Sequence, residues 1–220
     1  MKPDFFVLRT LLFFSIFGVI FLSNIYMFFS NAYVSLEYSK TAFPKPIKFS
    51  DTERLDLSKM VLGYTNGKID ETTLRGSGFF TEDEIAHLSD VKSLRVKLVA
   101  FHVGTIILSV GGCFLLAKLE DLKSLVVFLK KLLSLLAGIV VISSVLMIAN
   151  FQSFFIKFHE IFFKEGNWAF EPTATLIQLY PEVFWFDTAV YWVCLISIEF
   201  ILLALLVSRA EKKINKSGDK

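Results

Sequence analysis

The chain has little of what most enzymes carry in abundance. Of its 220 residues two are cysteine, five proline and three histidine. Cys113 and Cys194 both fall inside apolar runs, away from any loop that an oxidising exterior could staple, so they read as small apolar side chains. No H-E-x-x-H follows any histidine, because His159-Glu160 continues as Ile161-Phe162-Phe163, which removes that zinc-hydrolase signature. Ser77 in Arg75-Gly76-Ser77-Gly78 does not sit in a G-x-S-x-G elbow. A strong charge of one sign is missing too. The net charge is +2, which gives no reason to expect nucleic-acid binding.

What is present is apolar. Hydrophobic residues make up 54% of the chain, phenylalanine occurs 25 times, and mean hydropathy is +0.59. Four runs are long enough for a helix to cross a bilayer, which takes roughly 20 residues. They are residues 5–29, 98–117, 132–150 and 183–207. None alternates apolar and polar residues as a membrane β-strand would. The first run exceeds the roughly 7–15 apolar residues of a signal peptide and is expected to stay as a helix. The expected fold is an all-α membrane protein, a single membrane domain of four transmembrane helices over residues 1–220.

Positive charge sets the expected orientation. Lys2 and Arg9 flank the first span, and Lys118, Lys123, Lys130 and Lys131 join the second to the third. Arg209, Lys212, Lys213, Lys216 and Lys220 follow the fourth. In a four-span topology all of these share one side, which the positive-inside bias makes cytoplasmic. Both termini are then cytoplasmic, and residues 30–97 and 151–182 form an extracellular cap and loop.

Within the cap, Phe43-Pro44-Lys45-Pro46 reads as extended chain. Ser50-x-x-Glu53 is a capping box, and the helix it opens is expected to stop at Gly63. Thr65–Lys68 reads as a turn and Arg75–Gly78 as a flexible stretch. A second box, Thr81-x-x-Glu84, opens a helix that runs into the second span. On its wheel His87, Val91, Leu94 and Leu98 form one stripe, with Asp83 and Asp90 beside His87. His159 lies about two turns beyond the third span, among Phe155, Phe158, Phe162 and Phe163. Histidine is the side chain that exchanges protons near neutral pH, and aromatic rings favour the membrane boundary. Both rings are expected at the outer surface, facing one pocket. His102, a turn into the second span, reads as a buried hydrogen-bonding residue.

These segments resemble the lipoprotein intramolecular transacylases, bacterial membrane enzymes of four helices with an extracellular cap. The resemblance covers essentially the whole chain. It rests on Phe79-Phe80-Thr81-Glu82-Asp83-Glu84-Ile85-Ala86-His87-Leu88-Ser89-Asp90-Val91-Lys92 and on Phe158–Phe163, leading through Trp168 to Tyr180-Pro181-Glu182 and Phe184. Between Trp168 and Leu176 the chain departs from it, carrying Glu171-Pro172-Thr173-Ala174-Thr175 where the family is often rich in aspartate.

The resemblance implies an acyltransferase of the cell membrane. Its substrate would be the diacylated N-terminus of a lipoprotein, and membrane lipid would surround it. The acyl chain at the sn-2 position of the diacylglyceryl-cysteine moves onto the amine of that cysteine, leaving a lyso-form lipoprotein. No cofactor or metal is required by this chemistry. His87 and His159 would be catalytic. Asn167, Trp168 and Tyr180 are candidate donors to the oxyanion, and Asp90 and Glu160 are candidates to fix the histidine tautomers. Two other classes stand beside this reading: a transporter subunit or assembly factor without catalysis, and a metal-dependent intramembrane hydrolase. Asn24, His102 and Glu199 are the main polar residues inside the spans, few for a transport path. Glu199 is expected to have a structural partner.

Overall fold

The computed structural model describes residues 5–163 and 166–218. Every regular element among them is helical. In order they are α1 (Phe6–Ser23), a 3₁₀ turn (Ile25–Phe29), α2 (Asn31–Tyr38), α3 (Asp51–Thr65) and α4 (Glu71–Ser77). Then come α5 (Glu82–Leu119), α6 (Leu122–Ala149), α7 (Phe151–Phe162), α8 (Thr175–Leu179) and α9 (Glu182–Gly218). Phe6–Phe29, α5, α6 and α9 are each long and apolar enough to cross a membrane. The protein is a four-span, all-α membrane protein.

At a rise of 1.5 Å per residue α5 is about 57 Å long, nearly twice a hydrocarbon layer of about 30 Å. Its apolar run begins only at Leu98, and the turns carrying His87 and Asp90 precede it. Phe14, Ile107, Ile142 and Leu206 are exposed on the spans, as lipid-facing positions are.

The chain divides into two compact units. One comprises Met1–Asn24, Ala100–Ile148 and Trp192–Lys220. Its apolar cores gather Ile20, Leu132, Leu136, Ile196 and Phe200, and separately Leu12, Leu116 and Leu125. Arg9, the charge that interrupts the first run, pairs with Glu120 through Nη2 contacts of 2.7 and 2.9 Å. Gly112 lets two helices approach closely, since a Cβ there would lie 2.8 Å from Leu12 Cδ2. His102 is buried on α5 in this unit. Glu199 has the Asn24 amide as its neighbour.

The second unit comprises Ile25–Val99 and Ala149–Tyr191. Its core joins Phe49, Leu57, Val61, Tyr64 and Leu74 to Phe80, Ile85 and Leu88 of the α5 approach and to Leu176 and Leu179 of α8. Both capping boxes form: Ser50 with Glu53 at α3, Thr81 with Glu84 at α5. Glu84 does more than cap. Its other oxygen accepts from Leu176 N at 2.7 Å, tying α5 to α8 from a fully buried position.

Two local expectations need correction. Gly63 does not stop α3, which continues to Thr65; the chain turns at Asn66-Gly67, where Gly67 N donates to Tyr64 O and Lys68 N to Gly63 O. The Arg75–Gly78 stretch is not loose, because Glu71–Ser77 is helical and Arg75 pairs with Glu71 and Glu82. The third span ends where its apolar run does, and the segment carrying His159 is a separate helix. Asn150 leaves the helical conformation and its side chain accepts from Ser153 N, ending α6 and opening α7.

Candidate active site

The second unit brings its two histidines together from positions 72 residues apart in sequence. His87 sits in the second turn of α5 and His159 in the last turn of α7. Their rings are nearly parallel, with 6.1 Å between centroids and an angle of 25°. Aromatic side chains enclose them. Phe163 lies 4.8 Å from His87 and 5.4 Å from His159, Phe170 packs edge-on to His87, and Phe155 lies 4.2 Å from His159.

His159 is 8% exposed, and burial lowers its pKa below the usual 6.5. Its Nδ1 lies 2.8 Å from Phe155 O. A carbonyl only accepts, so Nδ1 carries the hydrogen and Nε2 carries the free lone pair. The orienting group is therefore the backbone of its own helix, not Glu160. That residue is exposed and turned to solvent. On His87, Nδ1 is buried and meets no hydrogen-bond partner.

The Asn167-Trp168 turn links the two histidine-bearing helices. It follows Gly166, whose φ of +71° is open to glycine at little cost. Trp168 packs against His159 at 4.9 Å between centroids. Its neighbour Asn167 donates from Nδ2 to Asp90 Oδ2 at 3.2 Å, one turn along α5 from His87. The site thus assembles His87, Asp90, His159, Asn167 and Trp168.

Tyr180 stands apart, packed on Phe184 and Trp185, while Trp185 Nε1 donates to its carbonyl. Burial pushes its phenol far above the ordinary range, so it stays protonated. Phe170 over His87 and the Phe155 carbonyl under His159 were not anticipated. The first had no signal beyond its closeness to Trp168. The second follows from an i to i−4 contact within a helix, legible only once α7 is known to be helical. Among the described residues, no three histidine, cysteine, aspartate or glutamate side chains gather as a metal-ligand set.

The family model described as lipoprotein intramolecular transacylase Lit matches residues 9–185. The chain belongs to the Lit family of lipoprotein intramolecular transacylases. It is an integral membrane acyltransferase, and the family's reaction is an intramolecular acyl transfer in lipoproteins. A protein of Aquifex aeolicus described as uncharacterized is 31% identical over 198 residues, covering 86% of this chain and 87% of its own. Among solved structures, Lit from Bacillus cereus superposes with a TM-score of 0.77 at 21% identity, covering 96% of this chain and 97% of that one. A variant of the same enzyme with one histidine changed to alanine gives 0.73 at 19% identity, over 96% and 94%. At such identities these structures speak for the fold of Lit alone.

Proposed function

We propose that the chain moves the sn-2 acyl chain of a lipoprotein's diacylglyceryl-cysteine onto the free amine of that cysteine, giving an N-acyl lyso-form lipoprotein. The observation that carries this reading is the facing pair of His87 and His159 inside an aromatic enclosure. Both termini are cytoplasmic in this account and the site faces the extracellular side, where the diacylated N-terminus resides. The support is the eleven lysines and arginines on the terminal side of a four-span topology.

The chemistry follows from the groups present. An α-amine has a pKa of about 7.7–8.0, so near neutrality it is mostly an ammonium and cannot attack an ester. A neutral imidazole takes one proton from it. The freed lone pair forms the N–C bond at the sn-2 carbonyl, the ester C–O bond breaks, and an imidazolium returns a proton to the departing alkoxide. One N–C bond replaces one C–O bond; of the two protons the ammonium loses on becoming an amide, one ends on the glyceryl oxygen and the other passes to solvent. His159 has its Nε2 lone pair available for that relay because Nδ1 is committed to Phe155 O.

Nucleophile and ester belong to one molecule, so the protein's task is to fold the substrate head into a ring. Positioning of that kind reaches effective molarities of about 10⁵–10⁸ M. Phe155, Phe163, Phe170 and Trp168 suit that task by their shape and by excluding water, which would otherwise hydrolyse the ester.

The test is co-expression with a diacylated lipoprotein, followed by mass spectrometry of its N-terminal peptide. Expected is an unchanged total mass with one acyl chain found on nitrogen. A peptide lighter by one acyl group would replace this reading with hydrolysis.

A further inference from the structure

The Asp90–Asn167 contact has a chemical direction. A carboxylate only accepts hydrogen bonds, so the 3.2 Å contact to Asp90 Oδ2 requires the Asn167 amide to present Nδ2 there. Its Oδ1 is thereby left facing elsewhere, buried and without a partner. Asp90 itself has no lysine or arginine paired with it among the described residues. One turn back along α5, His87 Nδ1 is likewise buried and unpartnered; burial and the neighbouring His159 pull the pKa of that ring down to about 4, and the Asp90 charge works against them. The carboxylate and the amide oxygen can only accept, and His87 Nδ1 accepts when the ring hydrogen is on Nε2, so the group offers three acceptors, one of them anionic, against the one remaining N–H of the Asn167 amide. An oxyanion needs donors. A cation with N–H groups needs this.

We propose that Asp90, Asn167 Oδ1 and His87 Nδ1 form the subsite for the substrate's α-ammonium group, which makes His87 the base toward the amine and leaves His159 on the ester side. The assignment rests on the acyl-transfer reading above and decides a question it leaves open. An ammonium has three N–H bonds, and the subsite offers one acceptor to each. With its hydrogen on Nε2, His87 takes the proton at Nδ1, and Asp90 stays beside the positive charge before and after the transfer. The neutral amine then attacks the carbonyl. Asn167 acts as an acceptor of the ammonium here, in place of the donor role to the oxyanion. Asp90 both attracts the ammonium and orients the Asn167 amide.

The experiment measures binding, so that it does not depend on turnover. The full chain in lipid nanodiscs is offered two dialkylglyceryl-cysteinyl peptides whose chains are ether-linked and cannot transfer. One has the free α-amine; in the other a hydrogen replaces the amine. At pH 6.5, where the amine is protonated, the parent is expected to bind the amine peptide at least about tenfold more tightly, as charge-assisted hydrogen bonds in a buried site warrant. Asp90→Asn and Asn167→Leu should each bring that ratio close to one while leaving affinity for the deamino peptide as in the parent, which also reports that the site is folded. A ratio near one in the parent, or a ratio retained in both variants, overturns the subsite. If the parent keeps the preference yet yields no N-acyl product in cells, the acyl-transfer reading fails and the ammonium subsite stands.

Discussion

At the scale of single residues, the account requires both imidazoles and spares the third. His87→Asn and His159→Asn keep size and some hydrogen bonding but move no proton at neutral pH. Each should lower conversion by about 10²–10⁴-fold at equal membrane abundance. His102→Asn, in the other compact unit, should leave most activity. A conversion assay on the three variants checks this, and near-parental activity in both His87 and His159 variants contradicts it. Acid should also act through His159. Burial depresses its pKa, so the unfolded ring binds its proton near 6.5 while the folded ring binds it only at lower pH. Stability is therefore unaffected above 6.5 and falls as pH drops below it, and the folded ring remains a competent base below 6.5. Phe163→Ser admits water beside both rings, and the acid limb of kcat should move upward toward 6.5. An unmoved limb would separate the two rings from the rate. The histidines themselves were legible from the sequence because aromatic and titratable residues coincide at the ends of apolar runs. The rings around His159 were legible too, but its hydrogen-bond partner was not, since a backbone carbonyl leaves no mark on residue type.

Among the elements, the capping boxes were the most legible features, because a serine or threonine three residues before a glutamate satisfies two backbone N–H groups by local geometry alone. What stayed hidden was the tertiary use of one of them. Glu84 caps α5 and also holds Leu176 N, and only the folded chain places α8 against it. Glu84→Ala removes both bonds and leaves buried N–H groups unsatisfied. Thermal unfolding in detergent should show a loss of about 2–4 kcal/mol, against a fraction of that for Glu53→Ala at the exposed α3 box. Equal losses would mean that the buried bond to α8 adds nothing. The end of the third span at Asn150 was legible from where its apolar run stops. That residues 151–162 form a further helix was not, because that stretch was read only as part of the loop after the span.

For the whole molecule, composition and run length were enough for an all-α, four-span fold, since the bilayer permits few other solutions. Orientation is a matter of charge, and it has its own test. A thiol reagent that cannot cross the membrane, applied to intact cells of a variant free of native cysteine, should label a cysteine placed at Lys59 on the exposed face of α3 and leave one placed at Lys213 unlabelled. The reverse pattern inverts the topology and puts the histidine site on the wrong face for a diacylated N-terminus.

The central claim is that one substrate molecule supplies both the amine and the acyl chain. Purified protein is given an equimolar mixture of two diacylglyceryl-cysteinyl peptides, one heavy in both its peptide and its sn-2 chain, the other light throughout. Intramolecular transfer predicts N-acyl products of two masses only, heavy on heavy and light on light, each equal in mass to its parent. Products that pair a heavy peptide with a light acyl chain, or peptides that lose the chain altogether, would contradict the account.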